Sequence, residues 1–399
     1  MNNETGPSSV TGELGGWELP EELRALQDTV RRFMAREVKP VDEAQPHDAY
    51  ELPADVLADL QAKAKRLGLW CVQSPAEYGG AGLNILGQCV VAEEAAKCRM
   101  GAYFPACGAF GADPPLVIFN GTRAQIEKYG IPSVESGETT FVAISEPGGG
   151  SDPSRAIATR AERKGDRYIL NGSKLWITGI SKARWGILFA RTDKAKGRGG
   201  ITSFIVDTDR PGITWRKVPV MRSYAPNEVH LTDYEVPAEN RLGEEGEGFA
   251  LADKWLVHAR IPYAAISIGI ARAALELAVE WSQSRQAFGS ALADKQAIQW
   301  MLADSEIELR AAKLLVYQAA WKADRGEDAK VDASIAKVYG TETSHRVLDR
   351  CIQIFGGMGA AQELPLERWY REGRIRRIGE GPSEVHRMVV ARDMVGRRR

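Results

Sequence analysis

The spacing of apolar residues changes character twice along the chain, and the changes divide it into three parts. From Leu19 to about Ser136 the spacing is helical. Leu23, Leu26, Val30 and Phe33 form one stripe, predicted to end before Pro40, and Pro53 opens a second helix through Leu57, Leu60 and Ala64 that stops at Gly68. A third runs near 85–98, and Thr122 with Gln125 has the spacing of a capping box for a short helix reaching Tyr129. From Thr139 to about Asn240 the period becomes two. Runs at 141–144, 168–170, 185–190, 202–206, 213–218 and 228–231 read as strands, with turns at Lys164-Gly165-Asp166 and Asn171-Gly172, which predicts a compact antiparallel β domain. From Gly246 helical spacing returns over 249–284, 295–325, 331–355 and 382–394, and four long helices with short connections make a bundle. The expected fold class is α+β: a lead over 1–16, an N-terminal helical domain over 17–138, a middle β domain over 139–245 and a helical bundle over 246–399, without internal repeat.

Composition narrows the function classes. With 52 Lys+Arg against 53 Asp+Glu, a formal charge of -1 creates no global field for nucleic acid or an anionic membrane, so an anionic ligand must be held by local groups. Five cysteines (Cys71, Cys89, Cys98, Cys107, Cys351) are odd in number and lack paired metal spacing, which points to a reducing, cytoplasmic setting with core thiols and no disulfide framework. The histidines are scattered, so no metal site is expected. Residues 1–16 are polar and small, suiting a disordered lead rather than a signal peptide or membrane span, and Arg397-Arg398-Arg399 reads as a frayed terminus.

Three segments carry candidate chemistry. Ser145-Glu146-Pro147-Gly148-Gly149-Gly150-Ser151-Asp152 follows a strand directly, and its glycines leave backbone N–H groups uncovered, which suits a planar heterocycle, a phosphate or simply a flexible loop. Strand alternation in Lys174-Leu175-Trp176-Ile177-Thr178-Gly179 puts Trp176 and Thr178 on one face, a flat surface beside a hydroxyl. In Ile378-Gly379-Glu380-Gly381-Pro382-Ser383 a single carboxylate sits between two glycines just before a helix start. Gly381 is the expected N-cap, Pro382 the first helical residue and Glu384 part of the first turn, with Val385, Met388, Val389 and Val390 facing the protein. A carboxylate so placed can take a proton from a ligand that the glycines let approach.

With these segments in hand, the chain resembles the acyl-CoA dehydrogenase family from about Leu19 to Arg392. The resemblance rests on the run 146–152, Trp176-Ile177-Thr178, Val236-Pro237 with Asn240 and Leu242-Gly243, Ser284-Arg285-Gln286-Ala287-Phe288-Gly289, Gln296-Ala297, Gln353-Ile354-Phe355-Gly356-Gly357-Met358-Gly359 and Glu380-Gly381. It implies one FAD per subunit and a homo-oligomer, usually a dimer of dimers. It also implies that Val142, Ile144, Ser145, Gly150, Ser151, Trp176, Ile177 and Thr178 cradle the flavin, Thr178 near its reactive nitrogen. Arg285 would meet the FAD pyrophosphate from a neighbouring subunit, with Phe288, Gln296, Gln353, Gly356 and Gly357 lining the groove and Pro382 and Glu384 adjoining it. Ser151, Arg260 and Gly381 would serve the acyl-CoA, and Glu380 would be the catalytic base.

Departures qualify that carry-over. Val257 stands where the family commonly has an acidic residue three before its substrate-helix arginine, and Ala259 occupies the place where some branches put their catalytic glutamate, leaving Glu380. Pro382 and Glu384 replace a polar pair, so contacts there are expected through backbone, and the Gly-Pro-Ser-Glu-Val-His386 wording resembles a divergent subgroup more than central β-oxidation enzymes. The implied reaction removes an α-proton to Glu380 and a β-hydride to flavin, giving a trans-2-enoyl-CoA, with an electron-transferring flavoprotein as acceptor. Alternatives are a flavin oxidase, monooxygenase or elimination enzyme of the same fold, or a catalytically silent partner subunit. Tyr103, Phe104 and 116–119 are candidate walls of the acyl cavity.

Overall fold

The computed structural model describes residues 19–396, so the expected lead and the terminal arginine run lie outside the described residues. Helix α1, Glu21–Phe33, does not stop before Pro40. It passes through a π-helical turn, Met34–Val38, into a last turn, Lys39–Glu43. Proline lacks an N–H and crowds the carbonyl four residues back, and a π turn immediately before it loosens the ladder enough to continue. Helix α2, Ala54–Arg66, follows Pro53 and ends before Gly68, whose φ is +70°. Helix α3, Ile85–Ala95, is shorter than its apolar run, and the Asp324 carboxylate accepts from the N–H groups of Ile85 (2.6 Å) and Leu86 (3.0 Å). Thr122 and Gln125 form the capping box, and the helical path beyond them runs on to Ser136.

The middle of the chain is one sheet in the order β6-β7-β3-β2-β4-β5-β8, with β1 also on β4. Its strands are β1 (Phe141–Ala143), β2 (Arg160–Lys164), β3 (Arg167–Ile177), β4 (Trp185–Arg191), β5 (Ile201–Asp207), β6 (Ile213–Lys217), β7 (Asn227–Pro237) and β8 (Arg241–Leu242). Two features differ from the expectation. The sheet is mixed, because β1 and β2 run parallel to β4. Asn171-Gly172 is a bulge inside β3 and not a turn, for β3 continues along β7 across a register shift at Leu170/Gly172. Strand β2 gives no strand signal in the sequence, because Arg-Ala-Glu-Arg-Lys is almost wholly polar and exposed.

The C-terminal part comprises α4 (Gly248–Ser284), α5 (Gln296–Asp324), α6 (Lys330–Phe355), α7 (Leu366–Arg376) and α8 (Ser383–Met394). Helix α7 was not expected, since six of its eleven residues are charged Arg or Glu. Helix α8 begins one residue later than predicted, with Pro382 as N-cap. It buries Ser383 and His386, while Met388 is exposed. Helix α4 is the one described helix long and apolar enough to cross a membrane, with mean hydropathy 1.4 over its best window, yet 67% of that window is buried in the bundle core. Small residues on α4, such as Ala264, Ala271 and Ala274, let it pack closely on α3 and α6. The sheet's second face packs on Phe249 and Ala252 at the start of α4, so sheet and bundle share one boundary.

Candidate active site

Glu380 lies between α7 and α8, in the turn that the two helices and α4 surround. Its φ is +56°, left-handed for a residue with a side chain. The conformation is held through its carbonyl, which accepts from Arg260 Nε of α4 (3.0 Å) and lies 3.1 Å from His386 Nε2 of α8. Lys337 of α6, fully buried, donates to the carbonyls of Gly381 (2.6 Å) and Arg377 (3.1 Å). Burial raises the Glu380 carboxyl above its usual range, while Arg260, Lys337 and Arg376 pull in the other direction without reversing it. Burial likewise lowers the Lys337 ammonium to about 7 against the attraction of Glu380. The site therefore holds a carboxylate of heightened basicity among cations that keep it ionisable.

Glycine at 379 has a specific cause. A Cβ there would sit 2.7 Å from the Tyr263 hydroxyl, so the tyrosine occupies the space beside the base. Arg376 packs 3.6 Å over the Tyr263 ring and is buried with three bonds, to Ser267 Oγ (2.8 Å) and to the carbonyls of Ala102 (2.5 Å) and Tyr263 (2.6 Å). It ties the segment bearing Tyr103 and Phe104 to α4 and to the turn of Glu380.

The glycine loop and the Trp-Ile-Thr strand meet as expected, though for a different reason. Leu175 N–H donates to Ser145 C=O (2.9 Å), and buried Lys174 reaches Ile144 C=O (3.1 Å) and the Glu146 carboxylate (2.8 Å). Burial favours a neutral Glu146, but Lys174 and the N–H groups of Ala158 and Thr159 outweigh it and hold the carboxyl low. Glu146 is thus the buried brace of the loop rather than a ligand contact. Trp176 and Thr178 are both exposed, yet simple alternation does not place them: a second register shift lies between Lys174 and Ile177, and Trp176 has φ +68°. Ile177 points into the sheet core, leaving only its backbone to a ligand. Thr178 Oγ1 accepts from Arg222 (2.8 Å) and keeps its own hydrogen to donate. A Cβ added at Gly148 would meet nothing, so the loop is open to the flat face of a ligand. Exposed Trp176, the Thr178 hydroxyl, partly exposed Val142, Ile144 and Ser145, and exposed Gly150 and Ser151 fit a flavin ring system.

A second group lies at the far end of the bundle. Arg285 follows the last turn of α4, and Phe288 stands at the tip of the small hairpin beyond it, 98% exposed. Trp281 stacks on Phe355 (4.9 Å, 15°), which sets Arg285 beside the turn bearing Gln353, Gly356 and Gly357, and these with Gln296 are exposed. Among the described residues no hydrogen bond or ion pair joins this group to the loop of Thr178 or to Glu380. Pro382 is partly buried and Glu384 exposed, so Glu384 offers no side chain to the interior of the chain. Val257 packs on the bundle core.

Sequence reading missed Arg222, Tyr263, Lys337 and Arg376. Lys337 carried a signal, a lysine within the otherwise small and apolar Ala333-Ser334-Ile335-Ala336-Lys337-Val338 stretch. Arg222, in a loop, carried none. Its guanidinium lies 4.1 Å over the Tyr103 ring. The fold also converges Asp42, Cys98 and Cys107, which cysteine spacing did not suggest. Cys107 donates to Asp42 (3.4 Å), Arg99 N–H donates to the same carboxylate (2.6 Å), and the bond to Cys98 with burial pushes the Cys107 thiol well up. These contacts buttress the loop that presents Tyr103.

A cavity of about 1000 Å³ opens beside the end of the glycine loop. Arg155, Arg160, Arg191, Lys194 and Arg198 line it, against the single acid Glu162.

Comparison with known proteins bears on this geometry. Models of the acyl-CoA dehydrogenase N-terminal, middle and C-terminal domains match residues 20–138, 142–234 and 246–395. A 3-(aryl)acrylate reductase of Clostridium sporogenes is 37% identical over 380 residues, covering 94% of this chain and 99% of the relative. The caffeyl-CoA reductase-Etf complex subunit CarC of Acetobacterium woodii is 35% identical over 376 residues, covering 93% of this chain and 97% of its own length. The structure of butyryl-CoA dehydrogenase from Megasphaera elsdenii superposes with a TM-score of 0.85 at 35% identity, over 95% of this chain and all of that one.

Proposed function

The chain belongs to the acyl-CoA dehydrogenase family and is an FAD-dependent oxidoreductase, and from that premise we propose that it desaturates an acyl-CoA thioester between its α and β carbons, Glu380 taking the α-proton. Bound FAD supplies the acceptor for the β-hydride. What the protein supplies is placement. The α-hydrogen of a thioester is a weak acid, so the base must be raised in basicity and fixed at one face of the substrate, and the clamped left-handed turn at Glu380 with its half-buried, desolvated carboxyl supports that role. Arg260, Lys337 and Arg376 keep enough positive potential nearby for the carboxylate to ionise. Backbone N–H groups near Gly381 are available to the thioester carbonyl. The basic cavity beyond Ser151 suits the phosphates of the CoA nucleotide, whose charge the near-neutral chain as a whole would not attract.

Glu380→Gln tests the assignment. It should retain FAD and bind acyl-CoA, yet reduce flavin several orders of magnitude more slowly, since an amide cannot take the proton. Anaerobic bleaching of that variant at the wild-type rate would move the base elsewhere. A second reading, the reverse reaction, is favoured by the name of the Clostridium relative, a reductase. There Glu380 would deliver the α-proton to a 2-enoyl thioester. Rapid reoxidation of chemically reduced enzyme by an enoyl-CoA, with bleaching by the saturated thioester undetectable, would establish that direction.

The electron partner we propose is an electron-transferring flavoprotein, a reading supported by the named Etf complex of a relative. We also assign this chain to a homo-oligomer, a dimer of dimers. The support is an exposed stripe on α5, where Trp300, Ile307 and Leu314 recur every seven residues at 62%, 65% and 48% exposure, together with Phe288. The Arg285 group, unconnected to the Thr178 loop of its own chain, would then serve a neighbour's cofactor.

A further inference from the structure

Glu380 is held in a left-handed conformation that is unfavourable for a residue with a side chain, so something must fix it. One of the groups on its carbonyl, His386, is buried at 1% exposure and reaches from the first turns of α8. Its two ring nitrogens are both engaged: Nε2 lies 3.1 Å from Glu380 C=O, and Nδ1 lies 3.1 Å from Ser334 Oγ of α6. A carbonyl oxygen only accepts, so Nε2 must carry a hydrogen. Ser334 Oγ also lies 3.0 Å from Lys330 C=O and has one hydrogen to give. Two arrangements satisfy these contacts. If the serine donates to Lys330, both ring nitrogens must be protonated and the ring is a cation. If it donates to Nδ1, the ring is neutral.

The surroundings decide between them. Burial, reinforced by the Arg260 guanidinium and the Lys337 ammonium, lowers the His386 pKa to about 4. The ring is therefore neutral near neutrality, and the serine hydrogen must turn toward it. Gly381 leaves room for this approach, since a Cβ there would lie 3.0 Å from Nε2.

We infer that His386 is a positioning residue for Glu380: as the neutral Nε2–H tautomer, with Nδ1 accepting from Ser334, it donates to the Glu380 carbonyl and holds the left-handed turn that aims the base. The kinetic part of this inference rests on Glu380 being the base. The tautomer does not.

The experiment uses the FAD-loaded full chain. Ring nitrogen-15 spectra, with the His386 signals assigned by their loss in His386→Gln, should show a protonated Nε2 and an unprotonated Nδ1 between pH 6 and 8; an Nδ1–H tautomer or a doubly protonated ring overturns the inference. In stopped-flow reduction by acyl-CoA, His386→Gln keeps an N–H donor and should stay within about threefold of wild type, whereas His386→Leu cannot donate and should be about 10–100-fold slower with acyl-CoA binding and FAD content retained. Leu at the wild-type rate, or Gln as slow as Leu, contradicts the positioning role. If the Leu variant does not fold, Ser334→Ala carries the kinetic test, with an expected loss of about threefold to tenfold and an unchanged rate counting against it. Wild-type enzyme that no acyl-CoA bleaches would sink the dehydrogenase reading instead, and would leave the nitrogen spectra to decide the tautomer.

Discussion

A glutamate between two glycines is conspicuous in a sequence, but its pKa is set by residues remote along the chain. Burial raises Glu380, and Arg260, Lys337 and Arg376 oppose the rise. Only the ionised carboxylate can accept a proton, so anaerobic flavin reduction should climb with pH through a midpoint above 4.5, the ordinary carboxyl value. Lys337→Met removes a cation that favours ionisation, so the same limb should move to higher pH, and pH profiles of single-turnover reduction read the shift directly. A limb that stays in place would mean the Lys337 charge is not felt at the base. Glu380, Thr178 and Trp176 were legible because each stands in a distinctive local setting. Arg222 and Tyr263 were not, because a loop arginine and a helix tyrosine look the same whether they face solvent or a ligand; only the contacts of Arg222 with Thr178 and Tyr103, and the packing of Tyr263 against Gly379, distinguish them.

Elements were legible wherever local pattern and tertiary demand agreed. The four long helices predicted for the bundle are read from the sequence to within one residue at every end, because Gly and Pro punctuate them. Where they disagreed, tertiary pairing won. Asn171-Gly172 has the composition of a hairpin turn, yet β7 offers β3 eleven residues of edge, and the pair is absorbed as a bulge in which Gly172 takes φ +152°. Close helix crossings were equally hidden. A Cβ on Gly269 of α4 would lie 2.2 Å from the Glu93 carbonyl of α3, so Gly269→Ala should force the two helices apart and cost about 1–3 kcal/mol. A clearly lower melting temperature of the holoprotein at fixed concentration is the expected outcome, and an unchanged one would show that the crossing can relax. Loss of the Thr122 cap in Thr122→Ala should be milder, about 1 kcal/mol, because one backbone N–H loses its partner at an exposed helix start.

For the whole molecule, the exposed features gather on the bundle: the Trp300, Ile307 and Leu314 stripe, Phe288, and Arg285 with Gln353, Gly356 and Gly357. If a second copy covers them, Trp300→Lys with Ile307→Lys should dissociate the oligomer and lower FAD retention together, and Arg285→Ala should do both more weakly, with added FAD favouring reassembly. Sedimentation of holo and apo protein across a concentration series checks this, and a monomer holding a full complement of FAD would refute the shared site. The three-part architecture, the glycine loop and the candidate base were determined by the sequence alone, since each depends on periodicity, glycine and capping signals that act within a few residues. The tertiary structure decided the rest. It made Glu146 a brace, gave Lys337 and His386 to the backbone around Glu380, and filled the space at Gly379 with Tyr263, because desolvation, hydrogen-bond partnership and volume exclusion arise only between residues that folding brings together from far along the chain.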